Sequence, residues 1–279
     1  MAGGQKKGTS APRGNNPSEA NGRSAGGAGQ PSTVDAEGLI ARRFAGQVIR
    51  HGARNPKRKA ICLTFDDGPL PPYTEQVLAI LKKEGVKATF FMTGYNAQRF
   101  PAVARRVVEE GHAIGNHTYN HAKGKTVEKA AWEVDRGAEA IEQATGVKPL
   151  IYRPPGGDLK CLATKYAAEK GYPVIMWTIS SADTTSPPTE TLISNVIHTP
   201  WPGDLVLMHD GGCPHPRTVA ALPKIIEETK KQGCIFLTVP EMLEELASWE
   251  DQGHPREGSK RPPKVAARPA GQSGPKRTR

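Results

Sequence analysis

Short apolar runs and amphipathic stretches alternate along the chain from about residue 60 to residue 248, and this alternation restricts the fold more than any other feature. The predicted strands are 60–65, 87–92, 112–115, 150–152, 173–177, 204–208 and 234–238. The predicted helices are 73–84, 101–110, 126–145, 159–170, 189–198, 216–232 and 240–248. Strands that alternate with helices throughout a domain indicate a parallel sheet covered by helices, so the fold class is α/β.

The strand–helix repeats fit either an open doubly wound sheet or a closed barrel. Open sheets of this class often bind nucleotides through a glycine-rich turn, but no GxGxxG or Walker motif follows any predicted strand. The barrel is therefore favoured, and no nucleotide cofactor is expected.

The two ends of the chain differ from its middle in composition. Residues 1–34 and 251–279 have no apolar periodicity and are predicted to be disordered tails, which leaves residues 35–250 as a single domain. The tails carry most of the net charge of +10, because Lys and Arg outnumber acids by four to one in the first and eight to two in the second. Such tails are usually only solvated segments, and the alternative is electrostatic attraction to an anionic polymer.

Neither a membrane span nor an export signal is expected from this sequence. No run approaches the ~20 apolar residues that a transmembrane helix requires. The first residues combine Lys6 and Lys7 with a polar, glycine-rich stretch and lack the apolar core of a signal peptide.

Residues capable of catalysis or metal binding gather just beyond the ends of the predicted strands. In (β/α) barrels, the loops at the carboxyl ends of the strands build the active site. The candidates at this rim are Asp66, Asp67, His117, His121, Arg153, Asp183 and His209. Structural residues scattered by chance would not sort to one rim, so a functional site is predicted there.

The motifs TFDDGP (64–69) and HTYNH (117–121) predict a metal site. Taken alone, the first is also a plain Asp-rich turn, and an HxxxH pair also occurs by chance on surfaces. If the second segment is helical, His117 and His121 are neighbours on one face. Two histidines with Asp67 suit a metal such as zinc and leave a position open for water.

Two further motifs supply a cation and an imidazole. Arg153 opens RPPGG, which is first of all a turn, but its guanidinium can hold a carboxylate. His209 ends the apolar strand of LVLMHDG and is either a satisfied core residue or a proton donor. His112 and His215 are interpreted as structural or exposed and receive no role.

In this order the motifs TFDDGP, HTYNH, RPPGG, SSAD (180–183) and LMH (207–209) resemble the polysaccharide deacetylase family with the NodB homology domain, carbohydrate esterase family 4. The resemblance covers about residues 58–240. It implies a distorted (β/α)7 barrel that removes N-acetyl groups from a polysaccharide containing N-acetylglucosamine, such as peptidoglycan, chitin oligomers or an exopolysaccharide. A non-catalytic wall- or sugar-binding module and an O-acetyl esterase of the same fold are the alternatives.

The resemblance implies a role for the residues of the first three motifs. Asp67, His117 and His121 bind a divalent metal, with zinc as the expected ion, and the metal activates a water molecule and polarises the amide carbonyl. Asp66, held by Arg153, accepts the proton of that water as general base.

For the other motifs, the resemblance implies that His209, tuned by Asp183, protonates the departing amine. The backbone N–H of Gly156 faces the oxyanion, and Leu207 lines the acetyl pocket. The sequence departs from the family pattern at Gly156, where an aromatic residue is usual, and in residues 180–184, where only the second Asp remains. Substrate choice is therefore open. The family also implies a location outside the cytoplasm or at the cell surface.

Overall fold

A computed structural model of the protein describes residues 33–198 and 200–256. In this part the helices are Thr33–Arg43 (α1), Tyr73–Glu84 (α2), Gly94–Arg99 (α3), Pro101–Glu109 (α4), Val127–Thr145 (α5), Leu162–Glu169 (α6), Thr189–Ile197 (α7), Pro216–Lys231 (α8) and Val239–Asp251 (α9). The strands are Val48–Ile49 (β1), Ala60–Asp66 (β2), Thr89–Met92 (β3), Ala113–Asn116 (β4), Val174–Ile175 (β5), Ile179–Ser180 (β6), Asp204–His209 (β7) and Ile235–Phe236 (β8).

Parallel pairings run from strand to strand around a barrel. β2 pairs with β3 and β3 with β4, and single bridges then join Asn116 to Tyr152 and Tyr152 to Val174 of β5. β6 begins after a gap of three residues beyond β5 and pairs with β7. β7 in turn pairs along its whole length with β2. β8 pairs with the first two residues of β2 alone. The weak bridge at Tyr152 and the short β8 are the distortions of this barrel.

The central strands β2 and β7 are buried on both faces, as expected for a parallel sheet covered by helices. Phe65 and Met208 point outward into a core built with Leu78 and Ile225 of the covering helices. The opposite face of β2 points into the barrel and carries Thr64 and Asp66. This alternation leaves polar side chains inside the barrel mouth and apolar ones under the helices.

The parallel α/β barrel predicted from the sequence is confirmed, with local differences. The predicted strand 150–152 is reduced to the bridge at Tyr152, and 173–177 is shortened to β5; the separate strand β6 follows it and was not predicted. α1, α3 and β1 were not predicted, because each is short or, in the case of α1, falls in a stretch of weak periodicity. No helix in the described part is long and apolar enough to cross a membrane.

The ends of the domain pack against each other. The guanidinium of Arg43 in α1 donates two hydrogen bonds to Asp251 in α9, at 2.8 and 2.9 Å, and Phe44 is buried in a core with Leu246 of α9. α1 therefore begins two residues before the predicted domain boundary at 35, and α9 ends one residue after the boundary at 250. Residues 251–256 of the predicted C-terminal tail are ordered against the domain, where Arg256 donates hydrogen bonds to Glu250 and Gln47, so the prediction of disorder is wrong for them. The rest of the two predicted tails lies outside the described residues, apart from the start of α1.

We expect a chain shortened to residues 33–256 to unfold at the same temperature as the full chain, because it keeps every packed element. A chain that begins at residue 46 loses α1 and the fully buried Phe44, and removal of a buried Phe side chain costs about 3–5 kcal/mol. Thermal unfolding followed by circular dichroism measures both. If the tails attract anionic polymers, the 33–256 chain also elutes from an anionic polymer column at lower salt than the full chain. Equal unfolding temperatures for the two shortened chains would contradict the packing role of α1.

Candidate active site at the barrel mouth

The register of β2 and β7 places the predicted residues of two motifs side by side. Asp66 pairs with His209 at the ends of the two strands, and Thr64 pairs with Leu207 one step below. Residues two apart on a strand face the same side. Asp66, His209 and Leu207 therefore share the inner face of the barrel at its carboxyl end.

Asp66 is held by a buried guanidinium. Its Oδ1 accepts a hydrogen bond of 2.7 Å from Nη1 of Arg153, which also donates to Thr64 Oγ1 at 2.7 Å. Arg153 has no exposed surface, donates to the backbone oxygens of Ile175 and Met176, and lies 4.0 Å above the ring centroid of Phe91. These contacts fix the Asp66 carboxylate, whose other oxygen, Oδ2, lies 3.8 Å from His117 Nε2.

Asp67, His117 and His121 converge into one cluster, with ligand atoms within 4.8 Å of one another. Asp67 Oδ1 lies 3.4 Å from Nε2 of His117 and 3.5 Å from Nε2 of His121. This oxygen is buried and has no hydrogen-bond partner among the described residues. A buried, unpaired carboxylate oxygen is costly unless a cation compensates it. One oxygen and two nitrogen donors are also a set that zinc prefers.

The chain brings these ligands together through unusual backbone conformations. Asp67 follows the end of β2 with φ 73°, and Thr118 and His121 have φ 67° and 58°. Residues 117–121 form a bend and not a helix, so the pairing of the two histidines does not arise from helical i,i+4 geometry. Non-glycine residues seldom adopt positive φ, and such residues cluster at functional sites.

His117 is oriented for coordination by its second nitrogen. Its Nδ1 lies 2.7 Å from the carbonyl oxygen of Arg153, which cannot donate, so Nδ1 carries the proton and Nε2 keeps its lone pair. Burial lowers the pKa of His117 more than the carboxylates of Asp66 and Asp67 raise it. The imidazole is therefore neutral, which is the form that binds metal. His121, by contrast, has a side chain that is 45% exposed.

His209 and Asp183 form the second charged pair of the site. Asp183 Oδ1 lies 2.7 Å from His209 Nδ1, while its Oδ2 accepts from the His209 backbone N–H at 2.7 Å and from Thr218 Oγ1 at 2.9 Å. Burial lowers the pKa of His209, but the hydrogen bond to Asp183 and the charges of Asp66, Asp183 and Asp67 outweigh it and raise the pKa to about 9. The structure thus holds His209 as an imidazolium at neutral pH, with Nε2 directed away from Asp183.

We expect Asp183→Asn to lower the pKa of His209 in the metal-free protein below about 9, because the hydrogen bond and charge of Asp183 are lost while burial continues to lower this pKa and only Asp66 and Asp67 still raise it. A raised folded-state pKa contributes stability that is complete below about pH 6.5 and is lost as the pH rises through about 9. The variant should show less of this pH dependence of unfolding. NMR titration of the imidazole and denaturation at pH 6 and 9.5 measure both effects. An unchanged His209 pKa would contradict the pairing.

The remaining predicted residues occupy less constrained positions. Gly156 lies in a 3-10 turn, Pro155–Gly157, with φ 60°, and a Cβ added there would meet nothing within 4 Å. The usual aromatic residue is thus replaced by open space at this edge of the mouth. Leu207 is buried one pleat below His209. Asp183, in the 3-10 turn Asp183–Thr185, is the part of the altered fourth motif that reaches the site.

Several contributing residues were missed from the sequence. Thr218, on α8, donates to Asp183 across 35 positions of chain, and no local pattern signals such a contact. Thr64 Oγ1 accepts a hydrogen bond from the same Nη1 of Arg153 that donates to Asp66, and its role was missed although Thr64 lies within the TFDDGP motif. His215, which received no role, stacks on His209 with ring centroids 5.7 Å apart and contacts the backbone oxygen of Gly211 through Nε2.

Fold and site together define a class: parallel α/β barrels that carry an Asp–His–His cluster, a buried Asp–Arg pair and an Asp–His pair at the carboxyl end of the strands. The profile of the polysaccharide deacetylase family matches residues 53–175. The peptidoglycan-N-acetylglucosamine deacetylase of Bacillus cereus is 43% identical over 189 residues, which make up 66% of this chain and 88% of that protein.

Solved structures give the same relationship. A crystal structure of a peptidoglycan N-acetylglucosamine deacetylase has a TM-score of 0.66 and 33% identity, covering 70% of this chain and 92% of that one. A carbohydrate esterase family 4 pseudoenzyme from Bacillus anthracis has a TM-score of 0.65 and 30% identity, covering 72% and 70%. The protein belongs to the polysaccharide deacetylase family, carbohydrate esterase family 4.

Proposed function

We propose that the protein is a zinc-dependent hydrolase that removes N-acetyl groups from the N-acetylglucosamine residues of peptidoglycan. The observation that carries the proposal is the unpaired, buried Oδ1 of Asp67, which lies within 3.5 Å of Nε2 of both His117 and His121. Peptidoglycan is favoured among acetylated glycans because the similar Bacillus cereus protein is named for it. A substrate of this kind also places the protein at the cell surface.

The metal would be held by Asp67, His117 and His121, and this donor set fits a zinc ion with a position left for water. When bound, such a metal acidifies a water molecule and polarises the acetyl carbonyl. His117 is prepared for this task by its hydrogen bond to Arg153, which directs Nε2 toward Asp67.

Asp66 is proposed to accept the proton of the attacking water. Arg153 occupies Oδ1 of Asp66, and Oδ2 faces the metal cluster, 3.8 Å from His117 Nε2. A general base must lie within hydrogen-bond reach of the proton that it removes, and this orientation provides that reach. The buried guanidinium fixes the carboxylate in place.

His209 is proposed to deliver a proton to the departing amine nitrogen. Asp183 holds its Nδ1, so Nε2 is the nitrogen that faces the substrate. Leu207, below His209 on the same face of β7, is assigned to the acetyl methyl group. The backbone N–H of Gly156 is assigned to the oxyanion of the tetrahedral intermediate, where a backbone donor stabilises developing charge.

Acetate release across a panel of acetylated glycans, with and without a chelator, tests the proposal. We expect release from peptidoglycan and from chitin oligomers, and loss of release with the chelator. Release from acetylated xylan but from no amide substrate would support the O-acetyl esterase. Glycan binding without any acetate release would support the non-catalytic binding module.

We expect His121→Ala to lose bound zinc and activity together, because the two ligands that remain, Asp67 and His117, do not complete the site. The side chain of His121 is 45% exposed, so its removal should leave the unfolding temperature of the metal-free protein unchanged. His254→Ala, which removes another exposed imidazole, stacked on Trp249 of α9 and not part of the cluster, is the control and should keep zinc. Elemental analysis of the purified proteins measures the metal. A His121→Ala protein with a full equivalent of zinc would overturn the ligand assignment.

A further inference from the structure

Three aromatic side chains lie in mutual contact beside the metal cluster and take no part in the mechanism above. Tyr95 of α3 and Trp132 of α5 stand edge-on to Tyr119, with ring centroids 6.4 and 5.1 Å from it. Tyr95 is 49% exposed and Trp132 is 50% exposed. We call these three residues the aromatic strip. Large aromatic side chains left exposed in a group are typical of a binding surface.

The aromatic strip and the metal cluster share one cleft. A cavity of about 440 Å³ is lined by Asp67 and His121 of the cluster and by Tyr95 and Tyr119 of the strip. This volume lies within the roughly 300–1,000 Å³ typical of ligand sites. A molecule whose acetyl group reaches the metal cluster therefore also contacts Tyr95 and Tyr119. Trp132, in contact with Tyr119, continues the strip beyond the residues that line the cavity.

The same cleft contains a cation without an acidic partner. Arg99, at the end of α3, is exposed and lines the cavity, and its guanidinium lies 5.1 Å from the ring centroid of Phe100. Within residues 33–198 and 200–256 it forms no ion pair. Arg136, over the ring of Tyr119, is by contrast 3.5 Å from a carboxylate oxygen of Glu139. Arg99 is thus free to bind an anionic group of a ligand in the cleft.

We propose that the aromatic strip and Arg99 form a second glycan subsite, which binds the sugar next to the one that is deacetylated and recognises a carboxylate on that sugar. The C–H face of a pyranose ring packs on aromatic rings, and Tyr, Trp and Arg are frequent anchors of binding interfaces. The aromatic strip supplies an aromatic contact surface for a sugar, which Gly156 lacks because it has no side chain. This inference rests on the proposed function, since it takes an acetylated glycan as the ligand.

Calorimetric titration of the full chain, with a chelator present to prevent turnover, tests the subsite. The probes are a soluble peptidoglycan glycan fragment freed of its stem peptides, whose alternate sugars carry lactyl carboxylates, and a neutral N-acetylglucosamine pentamer. We expect Tyr95→Ala, which removes a ring that lines the cavity, to weaken the binding of both probes about tenfold, as truncation of an aromatic anchor does. Trp132→Ala, which removes a ring in contact with Tyr119 outside the cavity lining, should weaken both probes less. Arg99→Gln should weaken only the peptidoglycan fragment. Trp249→Ala removes a partly exposed aromatic of α9 and should bind both probes as the wild type does.

Steady-state kinetics with zinc then separate this inference from the proposed function. Tyr95→Ala should raise KM about tenfold, and Trp132→Ala should raise it less, with little change in kcat. If the wild type binds the probes but releases no acetate, the proposed function fails while the subsite stands. If acetate is released and the aromatic variants bind like the wild type, the subsite is wrong. Equal weakening of both probes by Arg99→Gln would overturn the recognition of a carboxylate.

Discussion

Replacing Asp66 by Asn should reduce kcat for deacetylation by roughly 10²- to 10⁴-fold, the range expected when general-base catalysis is lost. Asparagine keeps the shape of the side chain and an oxygen for Arg153, but it cannot accept a proton. Asp66 is not among the proposed metal ligands, so the zinc content should stay at that of the wild type. Acetate release and elemental analysis on the same preparation measure both quantities.

The Asp66→Asn variant also needs a control for stability, because Arg153 is fully buried and loses its counter-ion. Removing one partner of a buried ion pair costs about 3–5 kcal/mol. Asp204→Asn is a matched control: Asp204 is buried, accepts from Arg54 at 2.9 Å and lies at the opposite end of β7. We expect it to lower the unfolding temperature but to keep kcat. Near-normal deacetylation by Asp66→Asn would contradict the assignment of the base.

The barrel could be predicted because each of its main strands is a local apolar run, bounded by residues that end it. β2 and β7 are the clearest cases, since both are buried throughout or nearly so and both end at polar residues of the site. The elements that were missed depend on distant contacts. Tyr152 joins the barrel through single bridges to Asn116 and Val174, and a single residue has no periodicity to detect.

The candidate site shows the same division between local and distant information. The TFDDGP and HTYNH motifs predicted the grouping of Asp67, His117 and His121 by residue type and order, but not its backbone geometry. Thr118 and His121 adopt positive φ, against the intrinsic preference of such residues, so the helical geometry that would pair the two histidines is not met and the chain pairs them by a bend instead. The hydrogen bond from Thr218 to Asp183 is set by the packing of α8, and no sequence pattern near either residue predicts it.

The altered third and fourth motifs affect the periphery of the site more than its centre. Gly156 leaves open space, and residues 180–184 retain Asp183, which makes both hydrogen bonds to His209 described above. The family includes a pseudoenzyme from Bacillus anthracis to which this chain is similar, so membership alone does not establish catalysis. The variant that best distinguishes an enzyme from a binding module is therefore one that removes the proposed proton donor to the leaving group.

Replacing His209 by Ala should reduce amide hydrolysis by roughly 10²- to 10⁴-fold, the usual contribution of a general acid. An amine is a poor leaving group until it is protonated, and His209 is the imidazolium held at the mouth by Asp183. An activated aryl acetate releases a phenolate without this proton, so its hydrolysis by the same variant should fall far less. Side-by-side kinetics on an acetylated chitin oligomer and an aryl acetate measure the difference.

The comparison of the two substrates is informative because the general losses that a mutation can cause affect both equally. Loss of zinc, collapse of the pocket or partial unfolding would reduce amide and ester hydrolysis together, whereas loss of a proton donor reduces only the reaction that needs one. His112→Ala is the control, because it removes another buried imidazole, at the amino end of β4 and away from the barrel mouth. It should hydrolyse both substrates at wild-type rates once folded. Equal losses on the two substrates in His209→Ala, or zinc lost with activity, would show that His209 is a ligand or a structural residue.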